Sequence, residues 1–141
     1  MAVGPSGAGK STMARLCQRA GAELLSDECV AFMPSGELFG TPFRSDDDLI
    51  PSRRSARCDL MLTLIHGASE QLDEAPASEM TRRLLEQAYQ PAPGELTAVE
   101  LLSRAASFAE RSIRRHFTFR LDPAAGTYLR DDLRERARPS S

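Results

Sequence analysis

Gly4-Pro5-Ser6-Gly7-Ala8-Gly9-Lys10-Ser11 fits G-x-x-x-x-G-K-[ST], the pattern of a loop that wraps the phosphates of a nucleoside triphosphate. The residue types explain the pattern. Small residues let the backbone curl into a nest of N–H donors, and Gly7 and Gly9 can take angles that a side chain forbids. Lys10 then reaches the β and γ phosphates as a compact charge. Ser11 offers its hydroxyl to Mg²⁺, and the helix opening at this point turns its positive dipole end toward the anion. The expected nucleotide-contacting set is Gly4, Pro5, Ser6, Gly7, Ala8, Gly9, Lys10, Ser11 and Thr12.

With glycine at about 7% of residues in average proteins, a chance match in so short a chain is on the order of one in a few hundred. A second feature sharpens the reading. Of the 18 Lys and Arg residues, Lys10 is the only lysine, and it stands where the loop needs a point charge rather than a planar guanidinium fork.

The 141 residues suit one core of the size that buries roughly two-thirds of its unfolded surface. A net charge of -2 argues against a nucleic-acid partner held through phosphate contacts, which demand a basic surface. Cys17, Cys29 and Cys58 are odd in number and lack C-x-x-C spacing, so they indicate neither a disulfide framework nor a zinc site. Together with the absence of a membrane-length apolar run or a signal-like leader, this gives a cytoplasmic expectation with no membrane partner.

Met1-Ala2-Val3 reads as the end of the strand that feeds the loop. Such strands usually run five or six residues, so the expectation is an N-terminally truncated sheet. Beyond the loop, Met13, Leu16, Cys17 and Ala20 form an apolar helical face closed by Gly21. Ala22–Leu25 reads as a short strand ending in Ser26-Asp27-Glu28. Two carboxylates at a strand end beside a phosphate loop are placed to hold a metal and to accept the proton of an attacking hydroxyl.

Cys29–Met33 and Leu38-Phe39 read as strands joined by the turn Pro34-Ser35-Gly36-Glu37. Residues 40–57, with Asp46-Asp47-Asp48 and Arg53, Arg54 and Arg57, read as a solvated mobile segment. Leu60–Ile65 is an apolar run expected to be a central strand buried on both faces. His66, with no second ligand at metal spacing, reads as a surface or hydrogen-bonded histidine. Gln71–Glu74 follows as a short edge strand, and a helix from Pro76 to about Tyr89 presents Met80, Leu84, Leu85 and Ala88.

Thr97-Ala98-Val99-Glu100 is a capping box opening a helix to about Arg111, with Val99, Leu102, Ala106 and Ala109 on its expected apolar face. Phe117, Phe119 and Leu121 alternate with His116, Thr118 and Arg120, giving a half-buried last strand with His116 toward solvent. The expected organisation is a catalytic domain over residues 1–121 and a short charged segment over 122–141, a fraying helix and tail.

There is no Leu-Ser-Gly-Gly-Gln signature of a transporter ATPase. The order Asp27-Glu28, Val30 in a strand, the Pro-Ser-Gly turn, Gly40-Thr41-Pro42-Phe43, the apolar strand at 60–65, the helix around 82–89 and the strand at 117–121 resembles the C-terminal catalytic domain of HPr kinase/phosphorylase and its relatives. The resemblance covers most of residues 3–121. It implies an α/β, P-loop-containing fold shared with phosphoenolpyruvate carboxykinase, and an ATP- and Mg²⁺-dependent kinase. The acceptor it implies is a serine hydroxyl of a protein, a peptide or free serine. HPr kinases are also oligomers, which implies a homo-oligomer here.

By the same resemblance Asp27 is the general base, acting with Lys10. Glu28 stands where HPr kinases carry a second aspartate, so with Ser11 it is the implied metal-binding position. The family's Arg-containing dephosphorylation motif is not located in this sequence. Two other readings stand beside this one: a small-molecule kinase of the shikimate or gluconate type, if residues 40–57 form a helical lid, and a non-catalytic ATP-binding regulatory module or truncated remnant.

Overall fold

A computed structural model describes residues 1–26, 28–43, 54–89 and 94–136. Asp27, residues 44–53 of the charged segment (with Asp46, Asp47, Asp48 and Arg53), the turn at 90–93 and the tail at 137–141 lie outside the described residues. The described chain is mixed α/β, with four helices and two small sheets.

After the glycine-rich loop comes α1 (Lys10–Arg19), which buries Met13 and Leu16. Ala22–Leu25 carries an isolated bridge residue at Leu24 in place of the expected strand. An antiparallel meander follows, of β1 (Val30–Phe32), β2 (Glu37–Gly40) and β3 (Ser55–Arg57), paired in chain order. The reversal between β1 and β2 falls where the Pro-Ser-Gly turn predicts it, with Gly36 N–H donating to the Met33 carbonyl at 2.9 Å. The third strand corrects the reading of 40–57 as solvated loop throughout. Ser55–Arg57 is exposed in side chain yet ordered by its ladder to β2, a pairing that polar composition does not reveal.

The second sheet holds β4 (Leu60–His66), β5 (Gln71–Glu74) and β6 (Ile113–Phe119) in the order β4-β6-β5, with β4 and β6 parallel and β5 antiparallel at the edge. On its other side β4 takes up the N-terminal residues. Ala2 forms a parallel bridge with Leu62, Val3 N–H donates to the Leu62 carbonyl at 2.7 Å, and Leu62 N–H donates to the Met1 carbonyl at 2.8 Å. β4 is therefore central, as its apolar run predicts. Burial on both faces holds for Leu60 through Thr63, while Ile65 and His66 emerge into solvent.

Alternation along β4 divides the core. Leu60 and Leu62 join Phe117 and Phe119 against α1 and against α4 (Pro123–Arg136). Met61 faces the opposite way, into a cluster with Val3, Leu38, Met80 and Leu84, Ala105 and Phe108. That second layer is built by α2 (Ala77–Gln87) and α3 (Ala98–Arg111), and the Phe32 and Phe108 rings, 5.0 Å apart, carry it across to the meander.

Three local expectations are corrected. The packed face of α3 is Ala105, Phe108 and Ala109, whereas Val99 and Leu102 are exposed; the helix is rotated because Phe108 offers far more apolar area than Val99. His116 does not face solvent. Its Nδ1 lies 2.6 Å from the buried Thr63 hydroxyl and its Nε2 3.4 Å from a Glu79 carboxylate oxygen, since α2 covers this face of the sheet. Leu121 lies past the end of β6 and is exposed.

The segment after Asp122 is a 14-residue helix docked on the core, where a fraying helix was expected. Ala125, Gly126 and Leu129 are buried, and Tyr128 stacks on Phe117 with centroids 5.8 Å apart. A weak amphipathic pattern hid it, because its contact with α1 runs through small residues.

Candidate functional site

The glycine-rich loop leaves the sheet at Gly4, beyond the C-terminal end of the short N-terminal strand. Because β4 and β6 run parallel to that strand, their own C-terminal ends, His66 and Phe119, lie at the same edge. In open α/β sheets this edge forms the ligand crevice.

Within the loop, Gly7 and Gly9 have φ of 81° and 88°, the left-handed region that favours glycine. Pro5 closes the first turn by accepting from Ala8 N–H at 3.3 Å. Gly9 then serves as the N-cap of α1 without a capping side chain, and no acidic residue occupies the first helical turn. The first turn thus presents its opening N–H groups and dipole with no carboxylate of its own, which suits an anion.

Lys10 folds back over the loop. Its Nζ donates to the Gly4 carbonyl at 2.6 Å and to the Pro5 carbonyl at 2.7 Å, so two of the three ammonium protons hold the lysine across the mouth of the nest. Arg could not do this with a single compact centre. Ser11 and Thr12 follow in the first turn of α1, both half-buried.

The loop residues Gly4 to Lys10 are thus brought together. Asp27 lies outside the described residues; Glu28 is exposed, and among the described residues no hydrogen bond or ion pair links it to Lys10 or Ser11. The Ser26 hydroxyl is buried, with no hydrogen-bond partner among the described residues. Among the described residues no group of three or more His, Cys, Asp or Glu side chains gathers in metal-ligating geometry. The two positions expected to hold a cation, the Ser11 hydroxyl and the Glu28 carboxylate, are oxygen donors of the kind Mg²⁺ takes, but no contact among the described residues brings them together.

One neighbour of the loop escaped the sequence reading. A Cβ built on Gly9 would stand 3.5 Å from both Cε1 and Nε2 of His66 and 3.6 Å from Cζ of Phe119. The imidazole therefore lies against the loop at the residue before Lys10. The available signal was that His66 ends the apolar strand, but its closeness to Gly9 depends on which strand pairs with the N-terminal residues.

Of the cysteines, Cys58 is buried, Cys29 exposed and Cys17 half-buried, with burial pushing the Cys17 thiol up from its ordinary value. None of them joins the loop. Among the described residues no helix is long and apolar enough to cross a membrane. No protein-family model, curated protein or solved structure matches this chain.

Proposed function

We propose that the chain is a P-loop kinase that binds Mg²⁺-ATP on Gly4–Thr12 and transfers the γ-phosphoryl group to a serine hydroxyl, in the manner of the HPr kinase-like proteins it resembles. The acceptor is a protein, a peptide or free serine, met in the cytoplasm. The observation that carries the reading is the loop itself. A nest with two left-handed glycines opens onto a helix whose first turn carries no acidic residue, at the C-terminal edge of parallel strands, with the only lysine of the chain folded across it.

The division of labour follows from phosphoryl-transfer chemistry, in which positioning and electrostatics supply most of the rate. Loop amides and Lys10 hold the phosphate chain and offset its developing charge. Ser11 and Glu28 would hold Mg²⁺, which would supply positive charge against the phosphate chain. Asp27 orients the acceptor hydroxyl and takes its proton.

Against a small-molecule kinase with a helical lid over 40–57 stands one feature: the described end of that segment, Ser55–Arg57, is a strand of the meander. The experiment is Asp27→Asn, assayed with labelled ATP against serine-containing acceptors. Transfer is expected to be lost while ATP binding is kept. Undiminished transfer would remove Asp27 as the base, and loss of binding as well would assign it to the nucleotide site.

A further inference from the structure

The geometry points to His66 as a phosphate-contacting residue of the loop site, its ring N–H donating to an oxygen of the bound β–γ phosphate chain. This rests on the reading of Gly4–Thr12 as a nucleotide loop. His66 is the last residue of β4 and is exposed, at the sheet edge from which the loop emerges. Its backbone is fixed there by the register opposite Phe119 and by Gly67 N–H donating to the Phe119 carbonyl at 2.9 Å.

The side chain is fixed too. The Phe119 ring, fully buried, lies 5.2 Å from the imidazole centroid at 42°, and the Cε1–Nε2 edge meets Gly9. The ring thereby lies between an apolar floor and the loop residue that caps α1, whose carbonyl accepts from Met13 N–H. A nitrogen donor at this edge is positioned beside any anion the loop holds, and imidazole donates from one ring nitrogen when neutral and from both when charged. The other histidine is committed elsewhere, between Thr63 and Glu79.

A ring that merely braced Gly9 would have the same packing, so the test separates the donor from the plane. His66→Phe keeps a flat ring on Phe119 and Gly9 but removes the N–H; His66→Gln keeps a donor and gives up the ring. Both full-length variants and Lys10→Ala are titrated with Mg²⁺-ATP and with inorganic tripolyphosphate. Donation to a charged oxygen predicts about tenfold or greater loss of affinity for both probes in His66→Phe, and retention within about threefold in His66→Gln.

Histidine side-chain NMR of the unmutated chain gives a reading independent of any variant's folding. The His66 Nε2 resonance moves on adding tripolyphosphate, while His116 serves as an internal reference that stays put. Retained affinity in His66→Phe, or an unmoved His66 resonance in a saturated sample, overturns the assignment while leaving the loop reading intact. If neither probe binds the unmutated chain, the loop reading itself fails and the assignment fails with it.

Discussion

Arg130 Nη1 donates to the Ala20 carbonyl at 3.1 Å, joining residues 110 apart in the chain and closing the C-terminus of α1 from the side of α4. α1 is the helix whose other end carries the glycine-rich loop. Four residues earlier on α4, Gly126 lies so close that a Cβ there would collide with the Leu16 carbonyl.

Gly126→Ala should lower stability rather than raise it. In a helix free of contacts this change adds up to about 1 kcal/mol of stability through propensity. Here the added methyl meets backbone of α1, so overpacking should prevail and cost about 1–3 kcal/mol. Urea unfolding of the two chains measures it. A gain in stability would mean that α4 does not dock on α1 as described.

Thr63 is buried on β4 and its hydroxyl is the 2.6 Å partner of His116 Nδ1. Thr63→Val keeps the shape and strands a half-buried ring nitrogen. It should destabilise by about 1–3 kcal/mol, the cost of an unmade buried hydrogen bond, and should move the His116 resonances while leaving those of His66 unchanged. No change in stability would show that the imidazole finds water in place of the hydroxyl.

The capping box at the start of α3 makes a pH-dependent prediction. Glu100 accepts from the Thr97 backbone N–H at 2.7 Å and from the Thr97 hydroxyl at 2.7 Å, and the Thr97 hydroxyl in turn accepts from Glu100 N–H. The backbone bond first, and the hydroxyl second, hold the Glu100 carboxyl below its ordinary value of 4.5. A carboxyl lowered by folding contributes stability that is fully present above its unfolded value and is lost as pH falls through its folded value. The stability difference between the natural chain and Glu100→Gln should therefore shrink as pH is lowered from 6 toward 3. Thr97→Ala should cost about 1 kcal/mol at neutral pH. A difference that is flat in pH would contradict the cap.

What could be read from the sequence was whatever local chemistry decides. The loop, the Pro-Ser-Gly reversal, the capping box and the edge strand Gln71–Glu74 announce themselves by residue type and spacing. So did the central place of β4, because an unbroken apolar run has to be covered on both faces. Apart from α4, whose amphipathic pattern is weak, the main failures lie in long-range pairing. Ser55–Arg57 is exposed and polar, and only its partner β2 makes it a strand. His116 alternates like a solvent-facing residue, but α2 closes over that face. On α3 the periodicity fits more than one face, and Phe108 against Phe32 selects between them. His66 beside Gly9 follows from the parallel pairing of Met1–Val3 with β4, a contact between the first residues and the seventh decade of the chain. No window of sequence contains it.

The central claim, that Gly4–Thr12 is a nucleotide site, is tested most directly by thermal unfolding with and without Mg²⁺-ATP, on the natural chain and on Lys10→Ala. At a ligand concentration of about 100 times its dissociation constant, binding adds roughly 2.7 kcal/mol. For a chain of this size that raises the midpoint on the order of 5 to 15 °C. The account predicts such a shift in the natural chain and its loss in Lys10→Ala. A natural chain that unfolds cooperatively with the same midpoint in both conditions, or a Lys10→Ala variant that shifts as far as the natural one, would contradict it.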